Sequence, residues 1–201
     1  VKINGNNVDN WTHFLHNENM QIEGTYGAIT KLLNLNSYMY AIQETGIAHL
    51  MIEPRVQVAA SDGLPVELGS GKLFEDYRYI DSLNGTRNKW GITKASNRFY
   101  FIDENNKSLN MFAENGVVSL SVTKGISSLI NKMPDYIGDI NSNHFSSMYD
   151  KNNNEVYFIF KYGDEIKSSI TFSEVLQEFI SRYSYQPNGI ARIKDRLFTY
   201  D

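Results

Sequence analysis

Several segments of this chain place residues at spacings that chemistry uses, and each lacks something that chemistry needs. His13 and His16 stand three apart, a spacing that points two imidazoles one way on a helix. A zinc site takes three or four converging ligands, and no third ligand lies near them. Asp150-Lys151-Asn152-Asn153-Asn154 opens like a calcium-binding EF-hand loop. Its sixth position is Glu155 rather than Gly and its twelfth is Lys161 rather than Glu. Asp103-Glu104-Asn105-Asn106 is similar and equally incomplete. Both are expected to be hairpin turns, because Asp and Asn bond their own backbone and tolerate left-handed conformations; a weak calcium site is the alternative. Gly69-Ser70-Gly71-Lys72 lacks the glycine spacing and the Ser or Thr after Lys that a phosphate loop needs. Ser82 to Trp90 resembles a sialidase Asp-box without its Asp, and that motif is structural in any case. No Ser-His-Asp set can be assembled by spacing, and the paired carboxylates Asp164 and Glu165 sit in a polar turn. The expectation is a protein without catalytic, metal-binding or cofactor-binding residues. The one candidate interaction surface is the Tyr-rich segment Phe179 to Tyr185, with Arg182, Tyr183 and Tyr185 as its contact residues, since Tyr and Arg are favoured at interfaces. The same residues equally suit a strand core.

The elements that would carry such a surface are strands. An aromatic-rich run of one pattern occurs four times, at Ser37–Gln43, Arg98–Asp103, Glu155–Phe160 and Arg196–Asp201. Aligned on Tyr40, Tyr100, Tyr157 and Phe198, the copies lie 60, 57 and 41 residues apart. A strand unit recurring at that period is the footprint of a radial β array such as a propeller, in which each unit needs neighbours to bury its faces. The fold class expected is mainly β, with antiparallel meanders forming propeller blades. Residues 1–25 read as an irregular N-terminal segment and 26–201 as the propeller-like region, a fragment of a larger protein because the fourth copy stands without a following strand.

Local signals fill in the units. Ser37–Gln43 and Ile47–Ile52 flank Glu44-Thr45-Gly46 as a hairpin. Val56–Ala60 and Leu64–Leu68 are short strands, and Trp90–Thr93 another. Arg98–Asp103, Ser108–Ala113 and Val117–Val122, joined by two polar turns, make a three-stranded meander. A short helical insertion is expected near 123–133, where Ile126, Leu129, Ile130 and Met133 share one helical face, with Thr123 as N-cap and Pro134 as stop. His144–Tyr149, Glu155–Lys161 and Ile166–Phe172 resume the strands, whereas Val175 to Tyr185 fits helix or strand.

Composition narrows the function classes. The net charge is −4 with no dense Lys/Arg stretch, so a nucleic-acid groove or an anionic-membrane patch has little support. There is no Cys, which removes disulfides and thiolate chemistry. The apolar runs are far shorter than a membrane span, and a soluble protein is expected.

Taken in order, several segments resemble one family. They are Gly69-Ser70-Gly71, Asn88-Lys89-Trp90-Gly91-Ile92, Phe99 to Asp103, Lys107-Ser108-Leu109, Leu120 to Ser128, Tyr149-Asp150 leading into Glu155 to Phe160, Ile170 to Glu174, and Phe179 to Pro187. Over residues 35–201 this series is similar to the virion stabilisation or muzzle proteins of crAss-like bacteriophages, and more distantly to propeller-type tail hub proteins of short-tailed phages. Ser173 and Val122 depart from the pattern, which has a small amide residue and an acidic residue there. The resemblance implies a non-enzymatic tail component of the virion, assembled in the host cytoplasm. It implies rings at the distal tail tube that close the DNA exit and hold other tail parts. Its partners would be other tail proteins, copies of itself in a ring and the rest of the parent polypeptide, with no membrane and no sequence-specific nucleic acid. The alternatives are a carbohydrate-binding or host-recognition propeller of a tail, and a cell-envelope propeller.

Overall fold

A computed structural model describes residues 19–52, 56–59, 65–68, 74–132, 143–162, 165–184, 187, 189–193 and 196–200. Most of their backbone is strand. The first sheet contains β1 (Ile29–Leu35), β2 (Tyr38–Gln43), β3 (Ile47–Ile52) and β6 (Phe74–Asp81), in that order and antiparallel. Between its third and fourth strands the chain makes a separate ribbon, β4 (Val56–Ala59) with β5 (Pro65–Leu68). The second sheet runs β7 (Thr93–Lys94), β8 (Phe99–Asp103), β9 (Ser108–Ala113), β10 (Gly116–Ser119). The third runs β11 (Asn143–Asp150), β12 (Glu155–Tyr162), β13 (Glu165–Ser173), β14 (Glu178–Tyr183). A last pair joins β15 (Gly189–Ile193) to β16 (Arg196–Tyr200). The aromatic repeat therefore has a structural meaning: each copy is the second strand of its unit, as β2, β8, β12 and β16.

Turn chemistry explains why these strands fold back at once. Asn36 and Ser37, at φ 50° and 70°, form a two-residue loop whose twist matches the flanking strands. One four-residue turn is built three times. It closes on a left-handed Lys107, Asn154 or Gln177, and the residue before it caps a backbone N–H. Asp103 Oδ1 accepts from Asn106 N at 2.9 Å, Asp150 Oδ1 from Asn152 N at 2.9 Å and Ser173 Oγ from Leu176 N at 3.2 Å. The two EF-hand-like segments are thus hairpin turns, as expected from Asp and Asn bonding their own backbone.

Several local readings are corrected. The strand expected at Val117–Val122, β10, stops at Ser119, and Leu120–Thr123 forms α1, followed by α2 at Ser127–Ile130. The expected single helix near 123–133 is two short turns broken at Gly125. That glycine has a φ of +72°, and Ile126 N donates to Ser121 O while Gly125 N donates to Val122 O. This is the Schellman stop, which needs a left-handed residue after the helix. Thr123 is not an N-cap: its Oγ1 bonds back to Ser119 O. The expected apolar face turns inward: Ile130 is buried and Ile126 and Leu129 pack on the same cluster; Met133 and Pro134 lie outside the described residues. Lys89–Gly91 is a 3-10 turn in place of the expected start of a strand, because Asn88 Oδ1 caps Trp90 N. The segment read as helix or strand is a turn at 174–177 and then β14.

The sheets pack face on face with their strands in the same order. Lys31 of β1 and Lys94 of β7 reach each other's neighbourhood, β7 touches β11, and β11 touches β15, so first strand follows first strand. The fourth strands of the first two sheets, β6 and β10, also meet. Apolar cores fill the gaps. One unites Leu35, Tyr40, Ile42 and Ile47 with Ile92, Phe99, Phe101 and Phe112. The next unites Tyr100, Ile102 and Leu109 with Phe145, Val156, Phe158, Phe160, Ile170 and Phe172, roofed by Leu120 and Ile130. Strand alternation sends Phe99 and Phe101 to the first sheet and Tyr100 and Ile102 to the third. All five residues of β8 are buried.

Candidate functional site: the contacts between sheets

Apolar burial supplies most of the attraction between sheets but little direction. Direction comes from polar groups around each core. Between the second and third sheets, Tyr100 on β8 extends its ring between Phe158 and Phe172 and donates its hydroxyl to Glu174 Oε1 at 2.7 Å. Burial, and then the bond to Glu174, push the Tyr100 phenol well above its ordinary value, so it stays a donor. Arg98 Nε lies 3.8 Å from the same carboxylate, and its Nη1 donates to Gln177 Oε1 at 2.9 Å. The aromatic at the repeat position thus faces the sheet that follows, as does Tyr40, which packs on Phe112 at 5.0 Å. Tyr157 lies on the face of β12 opposite Phe158 and stacks on Tyr183 at 5.8 Å.

Between the first and second sheets the side of the first strands is laced by lysines. Lys31 Nζ donates to Ile92 O at 2.7 Å and Lys89 O at 3.3 Å, while Lys94 Nζ donates to Asn34 O. Burial lowers the Lys31 ammonium from its ordinary value. Edge strands leave such carbonyls open to another chain, and lysines are a common way to close them. At the far end, the carboxylates of Asp103 and Glu104 hold the connection that enters the second sheet. Asp103 Oδ2 accepts from Gly85 N, and Glu104 accepts from Thr86 Oγ1 and Arg87 N. Burial raises both carboxyls above their ordinary values, against the pull of these donors.

The residues named from sequence are placed as follows. Arg182 and Tyr183 are neighbours on β14 and so point to opposite faces: Arg182 stands opposite Ile170, whereas Tyr183 stands opposite Ser169 and lies against Tyr157. Tyr185, His13, His16, Gly69 to Lys72, Asp164 and Trp11 lie outside the described residues. Among the described residues no three His, Cys, Asp or Glu side chains converge as a metal site would require. Trp90 is exposed, with the Lys89 ammonium over one face of its ring at 5.1 Å. Sequence reasoning missed Gln43, Thr86, Glu104, Lys31 and Lys94. Their signal was faint: Gln43 and Glu104 lie at the same edge of the aromatic repeat, where a polar residue looks like ordinary turn chemistry.

Two comparisons with known proteins bear on this arrangement. Residues 1–201 match the family described as Crassvirus muzzle protein. The muzzle protein of Bacteroides phage crAss001 is 33% identical over 185 residues, which cover 90% of this chain and 13% of that protein's length.

Proposed function

The chain belongs to the Crassvirus muzzle protein family, and on that premise we propose that it is a structural part of the phage tail that works by assembly, without catalysis. In this reading the three four-stranded sheets and the last pair are blades of a radial, propeller-like array within a longer polypeptide. The observation that carries it is the order of the sheets: first strands adjoin first strands, and a fully buried β8 serves two interfaces at once. Such an array is rigid, presents many short turns for docking and needs no cofactor. The parent protein would sit as a ring at the distal tail tube, at the DNA exit, against copies of itself and other tail proteins. An unfinished sheet would be completed by another strand of the parent or of a neighbouring subunit. Arg182 and Tyr183 would serve docking from two faces of one strand rather than from one patch, and Tyr185, outside the described residues, is proposed as a contact residue from its type alone.

Peptide mass spectrometry on gradient-purified particles tests the placement. The expected result is that peptides of this chain travel with the tail proteins in fixed ratio. Their absence from intact particles removes the tail assignment.

A further inference from the structure

The polar residues at the ends of β2 and β8 form a connected series. With Tyr40 aligned on Tyr100, Gln43 corresponds to Asp103 and Glu44 to Glu104. Each pair grips the segment leading into its own sheet. In the first sheet, Gln43 Nε2 donates to Glu23 O at 2.9 Å and Gly27 O at 2.7 Å, and Ala28 N donates to Glu44 Oε1 at 3.5 Å. In the second, Gly85 N donates to Asp103 Oδ2 at 3.1 Å, and Arg87 N and Thr86 Oγ1 donate to Glu104 at 3.1–3.2 Å.

The first pair also reaches forward. Gln43 O accepts from Thr86 N at 3.0 Å, Glu44 Oε2 meets Arg87 Nε at 3.1 Å, and Glu44 O accepts from Asn105 Nδ2 at 3.3 Å. Residues 85–87 are therefore held on both sides, by the pair of the sheet before and by the pair of the sheet they enter. Gln43, Thr86, Asp103 and Glu104 are each at most 5% exposed, so a lost partner leaves a buried polar group unsatisfied. The approach is close enough that a Cβ on Gly85 would stand 2.4 Å from Gln43 O.

We infer that Gln43-Glu44 and Asp103-Glu104, at matching positions ending the second strands of the first two sheets, form a positioning latch, which sets the second sheet against the first by clamping the connecting segment 85–87 between the two pairs. The two copies share their offset from the aligned aromatic and their target, the lead-in backbone. The role in ordering an array rests on the reading proposed above; the clamp itself rests on the geometry alone.

Amide hydrogen exchange on the whole purified chain, read by mass spectrometry, tests it. In Glu104→Ala, exchange within 83–88 should rise at least tenfold while β12 and β13 keep the protection of the parent chain. Glu104→Gln, which keeps one acceptor oxygen, should restore most of the protection. Gln43→Ala should loosen 23–28 in the same local way. Unchanged exchange at 83–88 in Glu104→Ala, or a rise shared evenly by every sheet, would overturn the latch. Particle association is read separately, so failure of the tail assignment and failure of the latch are distinguishable.

Discussion

Tyr100 does two jobs through one side chain, and they can be separated. Removing the ring should leave a cavity between the second and third sheets, and Tyr100→Ala is expected to cost about 3–5 kcal/mol in chemical denaturation. Tyr100→Phe keeps the ring and removes only the bond to Glu174, so about 1–2 kcal/mol is expected. An Ala variant within about half a kcal/mol of the parent would place the ring at the surface. Asp103 and Glu104 give a pH dependence. Their carboxyls are raised by burial, so the folded state holds these protons more tightly than the unfolded chain does. Stability from this source is therefore greatest below the ordinary carboxylate range and declines as pH rises through the raised folded values. The neighbouring Asp103 charge adds to the rise at Glu104. Urea midpoints followed from pH 4 upward should show that decline, and Glu104→Gln should flatten it. Little of this was legible in the sequence. Asp103 and Asp150 were read as turn residues, which they are, but burial of Asp103 depends on a connection from the preceding sheet and leaves no local mark.

Among the elements, β8 is the one whose loss should cost most. Phe101 is wholly buried against the first sheet, and Phe101→Ala is expected to destabilise by about 3–5 kcal/mol. Ile180 on β14 is 38% exposed, and Ile180→Ala should cost much less, a contrast that one set of denaturation curves reads directly. Gly85→Ala should cost about 1–3 kcal/mol or more, because the added methyl meets backbone rather than a side chain that can turn away. The strands themselves were legible: aromatic and β-branched runs between Asn, Asp and Gly turns identify β2, β3, β8, β9 and β12. The helical insertion was legible in its face and not in its length. Ile126, Leu129 and Ile130 turn inward as their spacing requires, yet Gly125 ends α1 before that face begins. A glycine beside a helical pattern is a stop signal, and it outweighed the period. The choice between helix and strand is settled over Glu178–Tyr183 by pairing with β13, a long-range contact that no local propensity encodes.

At the scale of the molecule, the repeat of Tyr40, Tyr100, Tyr157 and Phe198 was the informative signal because it reports packing between units. Tyr40 and Tyr100 each face the next sheet, and Phe198, whose pair has no further strand among the described residues, is 48% exposed. The family follows from the match across residues 1–201, and the stretch shared with the relative covers 13% of that protein's length. The most direct measurement of the central claim is imaging of the parent protein within intact particles, at a resolution that separates strands. The account expects this chain at the tail, its four-stranded sheets side by side around an axis with β1, β7, β11 and β15 innermost and residues 85–87 clamped between the first two. Sheets lying in any other order, or density for this chain missing from the tail, would contradict it.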